Sequence, residues 1–423
     1  MGIPLTADKP DQEEIILQIF DEQVTLRQFV SYSFSSDFLT PSDGWTFTLA
    51  DGDLPARQLA ALKLGARVGL IVNTARVSDG QIDAVEMSAD PHGGVHYTIH
   101  GRDRLGLAVD AIADPTLQFK EGTRLDDMLV ALFSPFGWVN KDEHYAIDNS
   151  ANRAVSTGGD RGIKTSKSGS KKVKPLKDFV LHQMKPHNHE GTFDFAKRIS
   201  ERFGLWIWSS CDGDVLIVGQ PDFNQEPLYQ LRRTRDGKGN IESGSVRYDV
   251  TDQPSIVFAD GFGGGGEYGK SRIKAYAVNP YFGVDENGFV LDDLLPLIAK
   301  QKDAQQVALV TQPFTRRATN IPIRPMYLHD DESKTQEQLE KFVRREMSLL
   351  MRKSLTVEYT VEGHGQYDAD GQFTAWAVDT VVTVKDDIGL LDENMWVLGV
   401  TFEKSRRGTF TKLHLIRLNS IQF

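Results

Sequence analysis

The chain has 423 residues, 40% of them hydrophobic and 25% charged, with 48 Lys and Arg against 59 Asp and Glu and a formal net charge of −11. That length exceeds one comfortable core, so two to four domains are expected, and the acidic balance argues against a general nucleic-acid binder, whose affinity comes from cations that release phosphate counterions. The single Cys211 forbids an intrachain disulfide and a thiolate metal cluster, and with neither a run of about 18 apolar residues nor a basic-then-apolar leader in residues 1–21, a cytoplasmically made protein without a membrane span is expected.

The first segment, to residue 114, reads as β. Ile15, Leu17 and Ile19 alternate with other residues, 21–23 turn, and Tyr32, Phe34, Trp45, Phe47 and Leu49 continue at period two around the loop 40–44, the spacing of half-buried strands. Residues 68–73 and 95–100 add two strands. Gly101-Arg102-Asp103 ends the last of them, and 105–110 leave the sheet as a short turn or helix.

From residue 115 the period changes. Leu125, Met128, Leu129 and Leu132 recur at helical spacing, with Thr123 as N-cap, Asp126 as first-turn acid and Pro135-Phe136-Gly137 as the stop. A second helix over 192–203 stacks Phe195, Ile199 and Phe203 and ends at Gly204. Residues 205–208 and 215–218 then pair as a hairpin across Cys211-Asp212-Gly213-Asp214. Between the helices, 152–174 is rich in Gly, Ser and Lys and reads as a mobile loop within the one basic island of the chain, where 161–185 hold eight Lys or Arg and one acid, Asp178.

A second Gly-rich loop, 261–267, interrupts the strands of a second barrel, and 285–312 read as an excursion from it. Ser333-Lys334-Thr335-Gln336 reads as a capping box opening a helix to Arg352, with Leu339, Phe342, Val343, Met347 and Leu350 as its apolar stripe. Glu346 falls within that stripe; it either snorkels from a wide helix face, the simpler reading, or meets a partner across a subunit interface. Leu355, Val357, Tyr359 and Val361 face one way, and Thr356, Glu358, Thr360 and Glu362 the other. After a turn at 363–371, residues 376–384, 395–402 and 412–418 read as three more strands of a small antiparallel barrel or sandwich. The expected fold class is mixed α+β and β-dominated: a first β-barrel over 1–114, an α/β middle domain over 115–220, and a second β-barrel over 221–423 with an insertion at about 262–353 that carries the helix 334–352.

Chemistry is harder to find. His182, His187 and His189 with Glu190 are the best metal candidates, but residues this close in a Pro-containing loop do not spread ligands around an ion, so exposed histidines are expected and no metal or cofactor is assigned. Asp126-Asp127, Asp330-Asp331 and Asp386-Asp387 are adjacent, and neighbours diverge in strands and helices alike, so turn or cap roles are expected rather than a carboxylate dyad. Gly244-Ser245 lies in an irregular stretch rather than a nucleophile elbow, 261–266 lack the Lys-Ser/Thr of a phosphate loop, and Cys211 has no histidine near it in sequence. No catalytic residue is assigned.

Three stretches, in this order, carry a resemblance. They are Gly101-Arg102-Asp103 with Leu107-Ala108-Val109-Asp110; the helix and hairpin of 192–221; and Trp376 with 378–384, 395–402, Leu413-His414-Leu415-Ile416-Arg417-Leu418 and a terminal Phe423. Together they resemble the baseplate hub proteins of Mu-like contractile phage tails, and the helix–hairpin unit also resembles the hub part of type VI secretion spikes. Ala108 departs from the hub pattern by an insertion. The resemblance implies two tube-protein-like barrels per subunit and a homotrimer whose pseudo-sixfold ring joins a hexameric tail tube to a trimeric central spike in the virion. It further implies contacts with baseplate wedge proteins and genomic DNA passing without specific binding. Arg102, Asp103, Asp110, Glu346, Trp376 and Trp396 are the residues expected in structural or interface roles. Two rival readings stand beside it. A virion-associated cell-wall hydrolase needs about 100 spare residues for its domain, which are not found, and a type VI spike needs a long C-terminal β-helix where this sequence has barrel strands.

Overall fold

The computed structural model describes residues 13–50, 55–90, 94–140, 145–146, 181, 184–263, 272–285, 288–309, 323–367 and 371–422. The expected loop 152–174, His182, most of the Gly-rich loop 261–267, and Phe423 lie outside them. The fold is β-dominated with helices at intervals, the mixed class expected.

The first segment forms β1 (Ile15–Ile19), β2 (Val24–Leu26), β3 (Ser31–Asp37), β4 (Gly44–Ala50), helix α1 (Ala56–Ala60), β5 (Arg67–Val72), β6 (Ala75–Asp90), β7 (Gly94–Asp103) and helix α2 (Leu105–Asp110). The predicted alternation is realised: Ile15, Leu17, Ile19, Tyr32, Phe34, Trp45, Phe47 and Leu49 are all buried. Strand β6 is absent from the sequence pattern. It carries Asp79, Asp83, Glu86 and Asp90, residue types depleted in strands, and two register shifts break its period, leaving Val77 unopposed against β5 and Asp83 unopposed against β7.

Next come α3 (Leu125–Phe133), β8 (Tyr145–Ala146), α4 (Thr192–Arg202), β9 (Trp206–Ser209) and β10 (Leu216–Gly219), with a small sheet in the order β8-β10-β9. The hairpin pairs as expected, Trp206 opposite Gly219 and Ser209 opposite Leu216. The Thr123 cap is not formed. Arg124, with extended backbone, occupies the N-cap position of α3, and its guanidinium reaches the Asp126 carboxylate instead.

The remainder forms β11 (Tyr229–Arg233), β12 (Ile241–Tyr248), β13 (Ile256–Phe262), β14 (Arg272–Val278), α5 (Leu295–Lys300), β15 (Gln305–Val307), β16 (Pro325–Asp330) and α6 (Gln336–Met351). It ends with β17 (Leu355–Glu362), β18 (Gly365–Tyr367), β19 (Phe373–Ala375), β20 (Thr380–Asp386), β21 (Leu391–Ser405) and β22 (Gly408–Arg417). Gly244-Ser245 therefore lies on a strand. The strand expected from Trp376 starts only at Thr380, because Asp379 adopts a left-handed φ of 56° that breaks the extended run.

Among the described residues thirteen strands make the main sheet, ordered β12-β17-β22-β21-β3-β4-β7-β6-β5-β1-β2, with β20 and then β11 branching from β21. The first and last β regions are thus one hydrogen-bonded surface, joined where β21 runs antiparallel to β3 from Gly399 opposite Asp37 to Lys404 opposite Tyr32.

By compactness the chain divides into two units, one of 1–197, 206–245 and 358–415, the other of 198–205, 246–357 and 416–423. The second contains a separate sheet among the described residues, β15-β14-β13-β16. Helix α6 lays Leu339, Val343, Met347 and Met351 on Val257, Ala259, Ala275 and Ala277, while Ile256, Phe258, Tyr276 and Val278 on the opposite face pack with Leu294. Both faces are covered, which is why the run Ile256-Val257-Phe258-Ala259 is continuously apolar.

Candidate functional site: a polar junction at the end of strand seven

The Gly-Arg-Asp run sits where β7 ends. Gly101 is required by packing: a Cβ there would fall 2.1 Å from the Trp45 ring and 2.2 Å from the Gln81 carbonyl oxygen. Side chains alternate across the strand, so Arg102 and Asp103 diverge. Arg102 donates from Nε to Asp83 at 2.7 Å and from Nη1 and Nη2 to the two Asp110 oxygens at 2.9 and 2.5 Å, a bidentate clasp between β7 and α2. Those hydrogen bonds lower the Asp110 pKa and raise that of Arg102. Asp103 is buried and accepts from Ser42 Oγ at 2.6 Å and Ser209 Oγ at 3.0 Å, tying β7 to the β3–β4 turn and to β9.

Beside it the tip of the β9–β10 hairpin docks through charge. Arg104 donates to the Gly213 carbonyl at 3.0 Å and to the Phe136 carbonyl at 2.9 Å and lies over the Trp138 ring. Arg67 bridges Asp79 at 2.9 Å and Asp214 at 3.2 Å. Burial raises the Asp79 pKa despite these cations. Gly213, at φ 68°, leaves room for the Asp79 side chain, which a Cβ would meet at 3.2 Å.

The two expected tryptophans belong to the neighbouring core. Trp396 is fully buried, donates from Nε1 to Asp379 at 3.0 Å and meets Phe38 edge-on, and Phe38 also packs on Trp206 and Trp208. Trp376 packs on Tyr229 with ring centroids 4.4 Å apart. The expected residues therefore do not converge on one point: Arg102 and Asp110 meet, Asp103 faces away from them, and the tryptophans fill the core. Glu346, in the second unit, is partly exposed and accepts from Arg345, whose Nη1 also reaches Glu201 at 2.6 Å. His187 and His189 are exposed on a turn in which the Glu190 carboxylate accepts from the His187 backbone N–H at 2.8 Å. Among the described residues no group of three His, Cys, Asp or Glu is placed to hold a metal ion, and no helix is long and apolar enough to cross a membrane.

Two linking groups escape sequence reasoning. Asp386 is buried and receives Arg233 at 2.9 and 2.6 Å and the Tyr359 hydroxyl at 2.7 Å. His364 is buried between the Tyr32 hydroxyl at 2.7 Å and Thr411 Oγ1 at 3.0 Å. Each partner set comes from strands far apart in sequence, and no local spacing marks it.

Comparison with solved structures places this architecture. A tail protein from Neisseria meningitidis MC58 superposes with a TM-score of 0.68 over 96% of this chain and 98% of its own, at 20% identity. The 43 kDa tail protein of prophage MuSo2 from Shewanella oneidensis superposes with a TM-score of 0.66 over 97% and 100%, at 16% identity. The chain has the fold of phage tail proteins. The likeness covers nearly all of both neighbours, and the Mu-like resemblance carried by the three sequence stretches agrees with it. No protein-family model matches the chain, and a search of curated proteins found no match. Within this fold the junction at β7 is a set of paired ions and buried hydrogen bonds that fixes segments to one another.

Proposed function

We propose that the chain is the structural hub of a contractile phage or phage-like tail baseplate, carried in the virion after assembly in the host cytoplasm. Three copies form a ring in which each subunit contributes two related β-barrels, about 1–114 and 221–423, around the α/β middle domain 115–220. The observation that carries this reading is the likeness in fold to two tail proteins over nearly the whole of each chain. A cyclic threefold assembly imitates sixfold symmetry only if each subunit repeats a domain internally. Such a ring docks on a hexameric tube on one side and receives a trimeric spike on the other, with wedge proteins around its rim. Its work is adaptor binding, with no reaction. The net charge of −11 fits a channel wall that lets DNA pass without trapping its phosphates.

The test is the mass of the purified chain in solution by light scattering. Three times the 47.3 kDa chain mass is expected. A monomer at micromolar concentration, unaltered when tube and spike proteins are added, would remove the symmetry argument.

A further inference from the structure

A cavity of about 20 Å³ lies within the first unit beside Asp103, lined among others by Val77, Ser78 and Asp79 of β6, by Ser209, and by Trp376 in the connection after β19. Space of that size holds one water molecule. Three side-chain atoms of its lining residues, Ser78 Oγ, Asp79 Oδ2 and Trp376 Nε1, are buried with no hydrogen-bond partner among the described residues, and the residues themselves are only 2–3% exposed. Asp79 Oδ1 is satisfied by Arg67, but Oδ2 lies 3.6 Å from Arg76, too far for a hydrogen bond. The register shift that leaves Val77 unopposed explains the geometry: a regular strand would send Ser78 and Asp79 to opposite faces, whereas at the bulge all three consecutive residues line one cavity.

We infer that this cavity holds one ordered water that accepts from the Trp376 indole N–H, donates to the Asp79 carboxylate and bonds the Ser78 hydroxyl as a third partner. Buried polar groups are almost always satisfied, and a donor, an acceptor and a hydroxyl on residues that line one probe-sized space match what a single water offers. The indole N–H, which donates only, disfavours a cation at the same place. Arg67 and Arg76 already face Asp79, and the carboxylates around the cavity are not placed as a metal set. The water joins β6 to the chain following β19, two segments far apart in sequence.

A crystal structure of the full chain at a resolution that shows bound water tests this. One isolated peak within hydrogen-bond distance of at least two of the three atoms is expected. An empty cavity, side chains bonded directly to one another across it, or a peak with anomalous signal and metal-like coordination distances would each overturn the inference. Ser78→Val supplies a second readout. Valine fills a dry cavity and has the higher strand propensity, so it would raise Tm there; over a bound water it removes a partner and evicts the water, and a Tm lowered by several degrees is expected. An unchanged or raised Tm would count against the water.

Discussion

A buried histidine ring needs partners for both nitrogens, and the bonds around His364 fix which nitrogen carries the proton. Thr411 donates its hydroxyl to the Gly363 carbonyl at 2.6 Å, so it accepts from His364 Nδ1–H, and Nε2 accepts from the Tyr32 hydroxyl, which burial keeps protonated. Burial pushes the His364 pKa down to about 3. The unfolded ring titrates near 6.5, so between these values the unfolded chain binds a proton that the folded chain does not. Stability from this group is therefore full above about pH 6.5 and falls as pH drops toward 3, by at most about 1.4 kcal/mol per unit. His364→Gln is expected to be less stable at pH 7.5 and to close that gap progressively by pH 4.5, measured by denaturant midpoints; a gap that stayed constant with pH would show that burial leaves the ring's titration unchanged on folding. Asp386 is the opposite case. Burial alone would raise its pKa, but Arg233, Tyr359 and backbone N–H groups outweigh that and hold it at about 2. Its contribution is present above the ordinary carboxylate range and is lost as pH falls toward 2. Asp386→Ala leaves the Arg233 guanidinium without its carboxylate and is expected to cost about 3–5 kcal/mol, whereas the double change with Arg233→Met recovers much of the loss. Neither residue could be singled out in the sequence, where Asp386 is half of an unremarkable acid pair and His364 stands beside a turn glycine.

At the scale of elements, strands with a regular period were legible and those shaped by bulges or left-handed residues were not. Residues 15–19, 31–37, 44–50 and 355–362 alternate cleanly because each buries one face, and their burial follows residue by residue. Strand β6 is hidden by its acids and its two register shifts, and the start of β20 is set by the left-handed Asp379, whose carboxylate is occupied by Trp396. Pairing partners were illegible for another reason: β13–β16 and β14–β15 are parallel, so the strands they join lie far apart in the chain. Helix α6 was found, but the sequence pattern sets its cap two residues too early. Thr335 is the N-cap and accepts from Gln338 N–H at 3.2 Å, while Gln338 Oε1 accepts from Lys334 N–H at 2.9 Å, and Ser333 is instead buried and bonded to Asp330. Thr335→Ala is expected to lower stability by about 1 kcal/mol, read as a shift of denaturant midpoint at unchanged slope. A neutral result would mean that the Thr335 hydroxyl adds nothing to the stability of the helix start.

At the scale of the molecule, the proposed hub makes adaptor function depend on the sheet rather than on any one reactive group. Val381 and Val397 are buried, and each sits in the β20–β21 ladder, Val381 opposite Trp396 and Val397 opposite Thr380. The same β21 continues into the pairing with β3, so damage there reaches strands from both ends of the chain. An aspartate at either position buries an unpaired charge that costs several kcal/mol against a marginal total. Val381→Asp and Val397→Asp are therefore expected to abolish the trimer and, with it, attachment of both tube and spike, seen together by light scattering and by negative-stain images of mixed components. By contrast His187, His189 and Cys211 sit on turns, and changing each to Ala is expected to leave the trimer and both attachments intact. Loss of one attachment alone in the valine variants would mean that the two docking faces fold independently. Glycan hydrolysis by the purified chain that disappeared with one Asp, Glu or His substitution while the trimer persisted would place a reaction on a scaffold whose described carboxylates at the β7 junction are already held by arginine and serine.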